Sequence, residues 1–159
     1  MSTSYCGGCT CGAIRYEITA EPLFALNCHC RDCQRETGSA FAPVMGVAAA
    51  SFTVTRGTAR TSSVVGGSGK PVLRAFCGDC GAPLYGLPTV RPDLVTVRAG
   101  SLDDPSIFRP TRDIFTTQAQ PWDHMDPSLP KLPGLGCAVD RDAREPERVD
   151  FDRAHSTEG

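Results

Sequence analysis

The chain lacks a positive surplus, a long apolar run and any sustained helical periodicity, and each absence removes a class of fold or function. Its 16 Lys and Arg stand against 18 Asp and Glu, a net charge of -2. A domain that grips a phosphate backbone shows a basic surplus, so nucleic acid is not expected as a partner. No apolar stretch approaches the roughly 20 residues that a membrane-spanning helix needs, so no membrane association is expected. The start, Met1-Ser2-Thr3-Ser4-Tyr5, has neither the basic region nor the apolar run of a secretory signal. The expected compartment is therefore the reducing cytoplasm, where clustered thiols hold metal more often than they pair with one another. The stretch Gly66-Gly67-Ser68-Gly69-Lys70-Pro71 is not a phosphate loop either. Val64 stands where that motif needs its first glycine and Pro71 where it needs Ser or Thr. Beyond the cysteine knuckles themselves the sequence carries no internal repeat.

What remains is a chain of 159 residues, 40% apolar, which suits one domain with a core of ordinary size. Its 13 Pro and 16 Gly favour short strands and turns. Residues 13–19 alternate apolar Ile14, Tyr16 and Ile18 with polar Arg15, Glu17 and Thr19, the pattern of a half-buried strand. Further strands are expected at residues 23–26, at 41–47 with Pro43 restricting it to an edge or bulge, and at 72–76 and 94–99. Residues 51–55 and 58–65 read as a hairpin turning at Arg56-Gly57, and 66–71 as a flexible hairpin tip. Residues 34–38 read as one helical turn or loop, and Ile107-Phe108 and Ile114-Phe115 as final short strands. The expected fold is all-β, with small antiparallel sheets and few short helical turns. It would occupy residues 1–135. Residues 136–159, dense in charge and poor in apolar groups, cannot bury enough surface to offset ordering entropy and are expected to be a disordered tail.

The chemistry lies in the cysteines. Cys28-His29-Cys30-Arg31-Asp32-Cys33 brings three thiols close enough to meet at one ion without long-range folding, and Cys9-Thr10-Cys11 and Cys77-Gly78-Asp79-Cys80 flank it. Structural zinc takes four protein ligands, whereas catalytic zinc takes three and keeps one position open. Cys9, Cys11, Cys77 and Cys80 would form a closed structural site joining distant parts of the chain. Cys28, Cys30 and Cys33 would form a second site with one open position. A sulfur-rich shell is a softer Lewis acid than three imidazoles, which suits a thiolate substrate better than hydrolysis. Two alternatives stay open on spacing. The second site could be closed by Cys6 or His29, and Cys6-Gly7-Gly8-Cys9 could itself pair with Cys77 and Cys80, leaving Cys11 spare. His29 reads as a polar residue pointing away from the metal. Arg31 and Arg35 could stabilise the thiolates, grip a substrate carboxylate, or be solvated turn residues. Cys137 reads as a bystander.

These pieces resemble the glutathione-dependent formaldehyde-activating enzyme family, whose domain is shared with centromere protein V. The matching residues are Gly8-Cys9-Thr10-Cys11-Gly12, Ile14-Arg15-Tyr16-Glu17, Cys28-His29-Cys30-Arg31-Asp32-Cys33-Gln34, Thr37-Gly38-Ser39-Ala40-Phe41, Phe76-Cys77-Gly78-Asp79-Cys80-Gly81, Ala99-Gly100-Ser101-Leu102-Asp103-Asp104 and Trp122. Many relatives carry His where Asp113 precedes the aliphatic pair. The resemblance implies an all-β fold and two zinc ions per chain, a structural one on Cys9, Cys11, Cys77 and Cys80 and a catalytic one on Cys28, Cys30 and Cys33. It also implies carbon-sulfur lyase chemistry, in which a small-molecule thiol such as glutathione adds to formaldehyde or another small carbonyl compound. The second hypothesis is a non-catalytic, zinc-stabilised binding module, as the centromere connection suggests. A homo-oligomer is compatible with either.

Overall fold

The computed structural model describes residues 4–135. The charged tail expected from residue 136, and Cys137 within it, lie outside the described residues. Ten strands form two sheets, and the fold is all-β. In chain order they are β1 (Tyr5–Gly8), β2 (Arg15–Ile18), β3 (Phe24–Cys28), β4 (Ala42–Ala48), β5 (Phe52–Arg56), β6 (Arg60–Val65), β7 (Pro71–Phe76), β8 (Pro83–Pro88), β9 (Leu94–Arg98) and β10 (Asp113–Ile114). A three-stranded sheet runs β1-β2-β5, and a seven-stranded sheet runs β10-β3-β4-β9-β8-β7-β6. Every pairing is antiparallel except β10, which adds to β3 in parallel with Ile114 opposite Cys28. The α-helix α1 (Arg31–Thr37) follows β3, and short 3-10 turns complete the structure. No described helix is long and apolar enough to cross a membrane.

The two sheets face each other across the main core. Ile14, Tyr16 and Ile18 from the small-sheet side meet Met45 and Val47 of β4, Leu84 of β8, and Val95 and Val97 of β9. The ring of Phe52 on β5 spans the gap, 5.2 Å from Tyr16 and 4.8 Å from Tyr85. β4 is buried on both faces, which explains its nearly continuous apolar sequence. Met45 and Val47 point to the main core, while Ala42 and Val44 join Leu26, Cys28, Cys30, Cys33, Ile114 and Phe115 in a second cluster on the opposite face.

Several expectations change. Residues 51–55 and 58–65 do not form a hairpin: β5 pairs with β2 in the small sheet, and β6 pairs with β7 in the large one. Alternation along each strand marks a half-buried face but not which sheet buries it, and the Arg56–Gly57 turn carries the chain between sheets. β1 and β8 carry little sequence signal because Gly7, Gly8, Gly86 and two prolines dilute them. β1 is held instead by β2 and by a bridge from Gly7 to Leu102. Ile107 ends a 3-10 turn whose start Asp104 caps through Ser106 N, rather than forming a strand. α1 begins three residues earlier than the expected helical turn, at Arg31, and Gly38 closes it in the left-handed conformation at φ 66°. Pro43 lies inside β4, but β9 joins that strand only from Val44 onward. Pro43 therefore has a strand neighbour on one side only, the edge-like setting a proline tolerates.

Candidate metal centres

The first centre lies where the two sheets meet. Cys9 and Cys11 follow β1, Cys77 follows β7, and Cys80 sits in the next turn. Their four sulfurs lie within 4.8 Å of one another. Cys9 Sγ is 3.5 Å from Cys11 Sγ, and Cys11 Sγ is 3.7 Å from Cys77 Sγ. Ile14 N donates to Cys9 Sγ at 3.2 Å, and the turn that carries Cys77 and Cys80 is closed by Gly81 N donating to Cys77 O at 2.9 Å. Backbone N–H groups of Ala82 and Cys11 bring the Cys80 thiol down to about 6. Cys11 moves the other way, to about 12, because the Ala13 N–H that favours its thiolate is outweighed by the sulfurs of Cys9, Cys77 and Cys80. Four clustered thiols oppose one another's ionisation, and a divalent cation at their centre removes that opposition. The donor set therefore fits zinc.

The second centre is built by one continuous turn. β3 ends at Cys28, Cys30 caps the start of α1, and Cys33 lies in its first turn. The three sulfurs lie within 4.8 Å of one another, and exposures of 7%, 2% and 6% leave each of them buried. Cys33 N donates to Cys30 Sγ at 3.4 Å. Hydrogen bonds from the thiols of Cys28 and Cys33 push Cys30 far down, while bonding to Cys30 and Cys33 drives Cys28 up. Cys33 is also raised, since its bond to Cys30 and its burial outweigh the lowering by Cys28. Three buried thiols this close oppose one another's ionisation, and a soft divalent ion removes that opposition by taking all three as thiolates. This donor set also fits zinc.

Cys6 belongs to neither group. It is exposed on β1, and it is Cys11 that joins Cys9, Cys77 and Cys80. His29 is fully buried. Its Nε2 is hydrogen-bonded to Asp113 Oδ1 at 3.3 Å, its Nδ1 lies 3.0 Å from Asp123 Oδ2, and neither nitrogen joins the three sulfurs in one group. Asp113, 1% exposed, also accepts from Asn27 Nδ2 at 2.9 Å and pairs with Lys131 Nζ at 2.9 Å. Gln34 of α1 donates to His29 O at 2.6 Å and to Gln118 O at 2.9 Å, and Gln118 Oε1 accepts from Arg31 N at 2.9 Å. Segment 113–123 thus clasps the three-cysteine turn from outside. The side chain of Arg31 bonds to Gln34 rather than to any sulfur.

The cation beside the sulfurs is one that sequence spacing did not mark. Arg74 Nη2 on β7 lies 3.7 Å from Cys33 Sγ, and Arg74 also pairs with Asp32 and Glu36. Glu36 is held from the other side by Arg98 at 2.8 Å. On the remaining side the β6–β7 tip folds over the centre. A Cβ added to Gly67 would stand 2.9 Å from Cys30 Cβ, 3.1 Å from its Sγ and 3.2 Å from Phe115 Cζ, so only a glycine allows this approach.

Comparison with known proteins follows the same outline. The sequence profile of a family described as glutathione-dependent formaldehyde-activating enzyme matches residues 4–118. A Halomonas elongata protein whose assigned name carries the same family term is 28% identical over 101 residues. That match covers 61% of this chain, and the chain spans 64% of that relative's length. A crystal structure of a Rhodobacter sphaeroides protein superposes with a TM-score of 0.49 at 24% identity, over 62% of this chain and 87% of that one.

Proposed function

The chain belongs to the glutathione-dependent formaldehyde-activating enzyme family, and from that premise we propose that it is a zinc-dependent enzyme joining a small thiol to formaldehyde or a related carbonyl compound. In the reverse sense this is carbon-sulfur lyase chemistry. The reacting centre is assigned to Cys28, Cys30 and Cys33, and the structural zinc to Cys9, Cys11, Cys77 and Cys80. The observation that carries the assignment is the difference between the two donor sets. One group gathers four sulfurs and the other three, with no further Cys, His, Asp or Glu grouped with the three among the described residues. A complete tetrahedral set is inert, whereas a set of three leaves room for an exchangeable ligand.

Zinc on Cys28, Cys30 and Cys33 would supply the Lewis acidity that keeps an incoming thiol ionised near neutral pH. The chain's own residues prepare the surroundings. Arg74, beside Cys33 Sγ, offsets the negative charge of a thiolate-rich centre. Phe115, Ile114 and Leu26 surround it with apolar groups that limit water. Asp113, hydrogen-bonded to His29, holds that ring and with it the Cys28–Cys30 turn in one orientation. In the addition, the thiol sulfur forms a bond to the carbonyl carbon and the proton released by the thiol ends on the former carbonyl oxygen.

The test is the rate of exchange between free and thiol-bound formaldehyde, read by NMR on carbon-13-labelled formaldehyde with glutathione. The wild-type chain should accelerate it, and Cys30→Ser should lose that acceleration while keeping the circular dichroism of the fold. No acceleration by protein holding both metals would refute the proposal and favour the zinc-stabilised binding module.

A further inference from the structure

All three cysteines of the second centre are buried, so whatever reacts there stands against the walls that enclose it. Most of those walls are fixed by the sheet and the helix. β3 and β4 supply Leu26, Ala42 and Val44, and Arg74, paired with Asp32 and Glu36, stands beside Cys33. The side of Cys30 is different. The point that a Cβ on Gly67 would occupy lies 3.1 Å from Cys30 Sγ and 3.2 Å from Phe115 Cζ. Sulfur and ring edge therefore flank one narrow gap, whereas a carbon sits without strain at roughly 3.5–4.0 Å from each carbon neighbour.

The two sides of that gap are held differently. The β6–β7 tip is closed by its own bonds, Gly66 N to Lys70 O and Gly69 N to Gly66 O, both 2.9 Å. Phe115 is pinned to other segments: its N donates to Gly134 O at 3.3 Å, and its O accepts from Gln118 N at 3.0 Å. On either side of it, Ile114 O accepts from His29 N and Thr116 N donates to Leu132 O, each at 3.0 Å. Among the described residues Phe115 is also the one non-glycine with left-handed backbone, at φ 57° and ψ 38°. Side chains that follow one another along an extended strand point to opposite faces, yet Ile114 of β10 and Phe115 both pack in the three-cysteine cluster. The left-handed backbone is what returns the ring to that side. Such backbone costs free energy in a residue with a Cβ, persists only where its surroundings enforce it, and gathers at functional sites.

We propose that Phe115 is a specificity-determining residue that limits the carbonyl partner to the size of formaldehyde. The inference rests on reading the centre as thiol-binding, and it adds what stands beside the sulfur when the carbon-sulfur bond forms. The carbon of formaldehyde carries only hydrogens besides its oxygen. Acetaldehyde brings a methyl group that has to share the gap with the ring. An apolar pocket discriminates one such carbon by roughly 10–200-fold.

The test uses Phe115→Ala and Phe115→Leu in the metal-loaded full chain, with metal content measured first. S-ethylglutathione and S-isopropylglutathione have the shapes of the formaldehyde and acetaldehyde adducts, with methyl in place of hydroxyl, and calorimetry reads their binding without turnover. Wild type should prefer the S-ethyl ligand by about tenfold or more, Phe115→Leu should narrow that preference, and Phe115→Ala should remove most of it. The ratio of acetaldehyde to formaldehyde exchange, read by carbon-13 NMR, should rise in the same order. A preference that is equal in all three proteins, no binding of either ligand to wild type, or loss of metal from the three-cysteine centre in both variants overturns the assignment. Cobalt-substituted wild type separates the two readings. If glutathione alters its metal-thiolate absorption while the preference does not move, Phe115 loses its role and the thiol-binding centre stands. If the preference moves while no thiol alters that absorption, Phe115 keeps its role and the reading of the centre falls.

Discussion

Replacing Asp113 by Ala removes the acceptor at the hub of the network behind the three-cysteine turn. Three groups lose a partner: buried His29, Asn27, and Lys131, whose side chain is 32% exposed. Removing one partner of a buried charge network costs about 3–5 kcal/mol, because the remaining polar groups stay dry and unpaired. Lys131 can rehydrate, so we expect the lower end, about 3 kcal/mol. Asp113→Asn keeps an oxygen for Asn27 and His29 and should cost only about 1–2 kcal/mol. The assay is equilibrium urea unfolding at pH 7 with free zinc held constant, since bound metal adds to apparent stability. A loss below about 1 kcal/mol for Asp113→Ala, or an equal loss for both variants, would refute the network's role. The pH dependence carries a sign. Burial raises the Asp113 carboxyl, but the hydrogen bonds from Asn27, Lys131 and His29 outweigh it and hold the group below its ordinary range. Its contribution is therefore fully present above the unfolded value of about 3.9 and is lost as pH falls through the lower folded value. The gap between wild type and Asp113→Asn should close only in that acid window.

Gly67→Val should drive a side chain into Cys30 and Phe115, costing about 1–3 kcal/mol by overpacking and weakening metal at the three-cysteine centre while sparing the four-cysteine one; equal metal content in mutant and wild type would contradict the close approach. Leu84→Ala, at 0% exposure between the sheets, should cost about 2–5 kcal/mol in thermal or urea unfolding. A loss under about 1 kcal/mol would mean that the sheets do not pack through this position.

The cysteine centres are the most legible part of the sequence, because Cys-x-Cys and Cys-x-x-Cys spacings are local and sulfur converges within a single turn. Their surroundings are assembled by register and are not local. Asp113 reaches His29 only because β10 adds in parallel to β3, across a separation of 84 residues. Arg74 and Arg98 occupy strand positions where alternation predicts a solvent-facing charge. They are buried instead, since α1 lies over that face and supplies Glu36 to both. The same limit explains the misassigned hairpin. Residues 51–55 and 58–65 alternate correctly as strands, but a two-residue period does not say that one belongs to each sheet. Arg31, Asp32 and Cys33 read as part of a metal turn and are also the first turn of α1, so spacing alone shortens the helix.

Metal content per chain, measured on freshly purified wild type and Cys30→Ser with a glutathione titration of the cobalt-substituted protein, tests the central claim most directly. The account predicts two metals in wild type, one in a still-folded Cys30→Ser, and a change in metal-thiolate absorption when glutathione is added to wild type. One metal in wild type, or two whose absorption answers to no thiol, would contradict it.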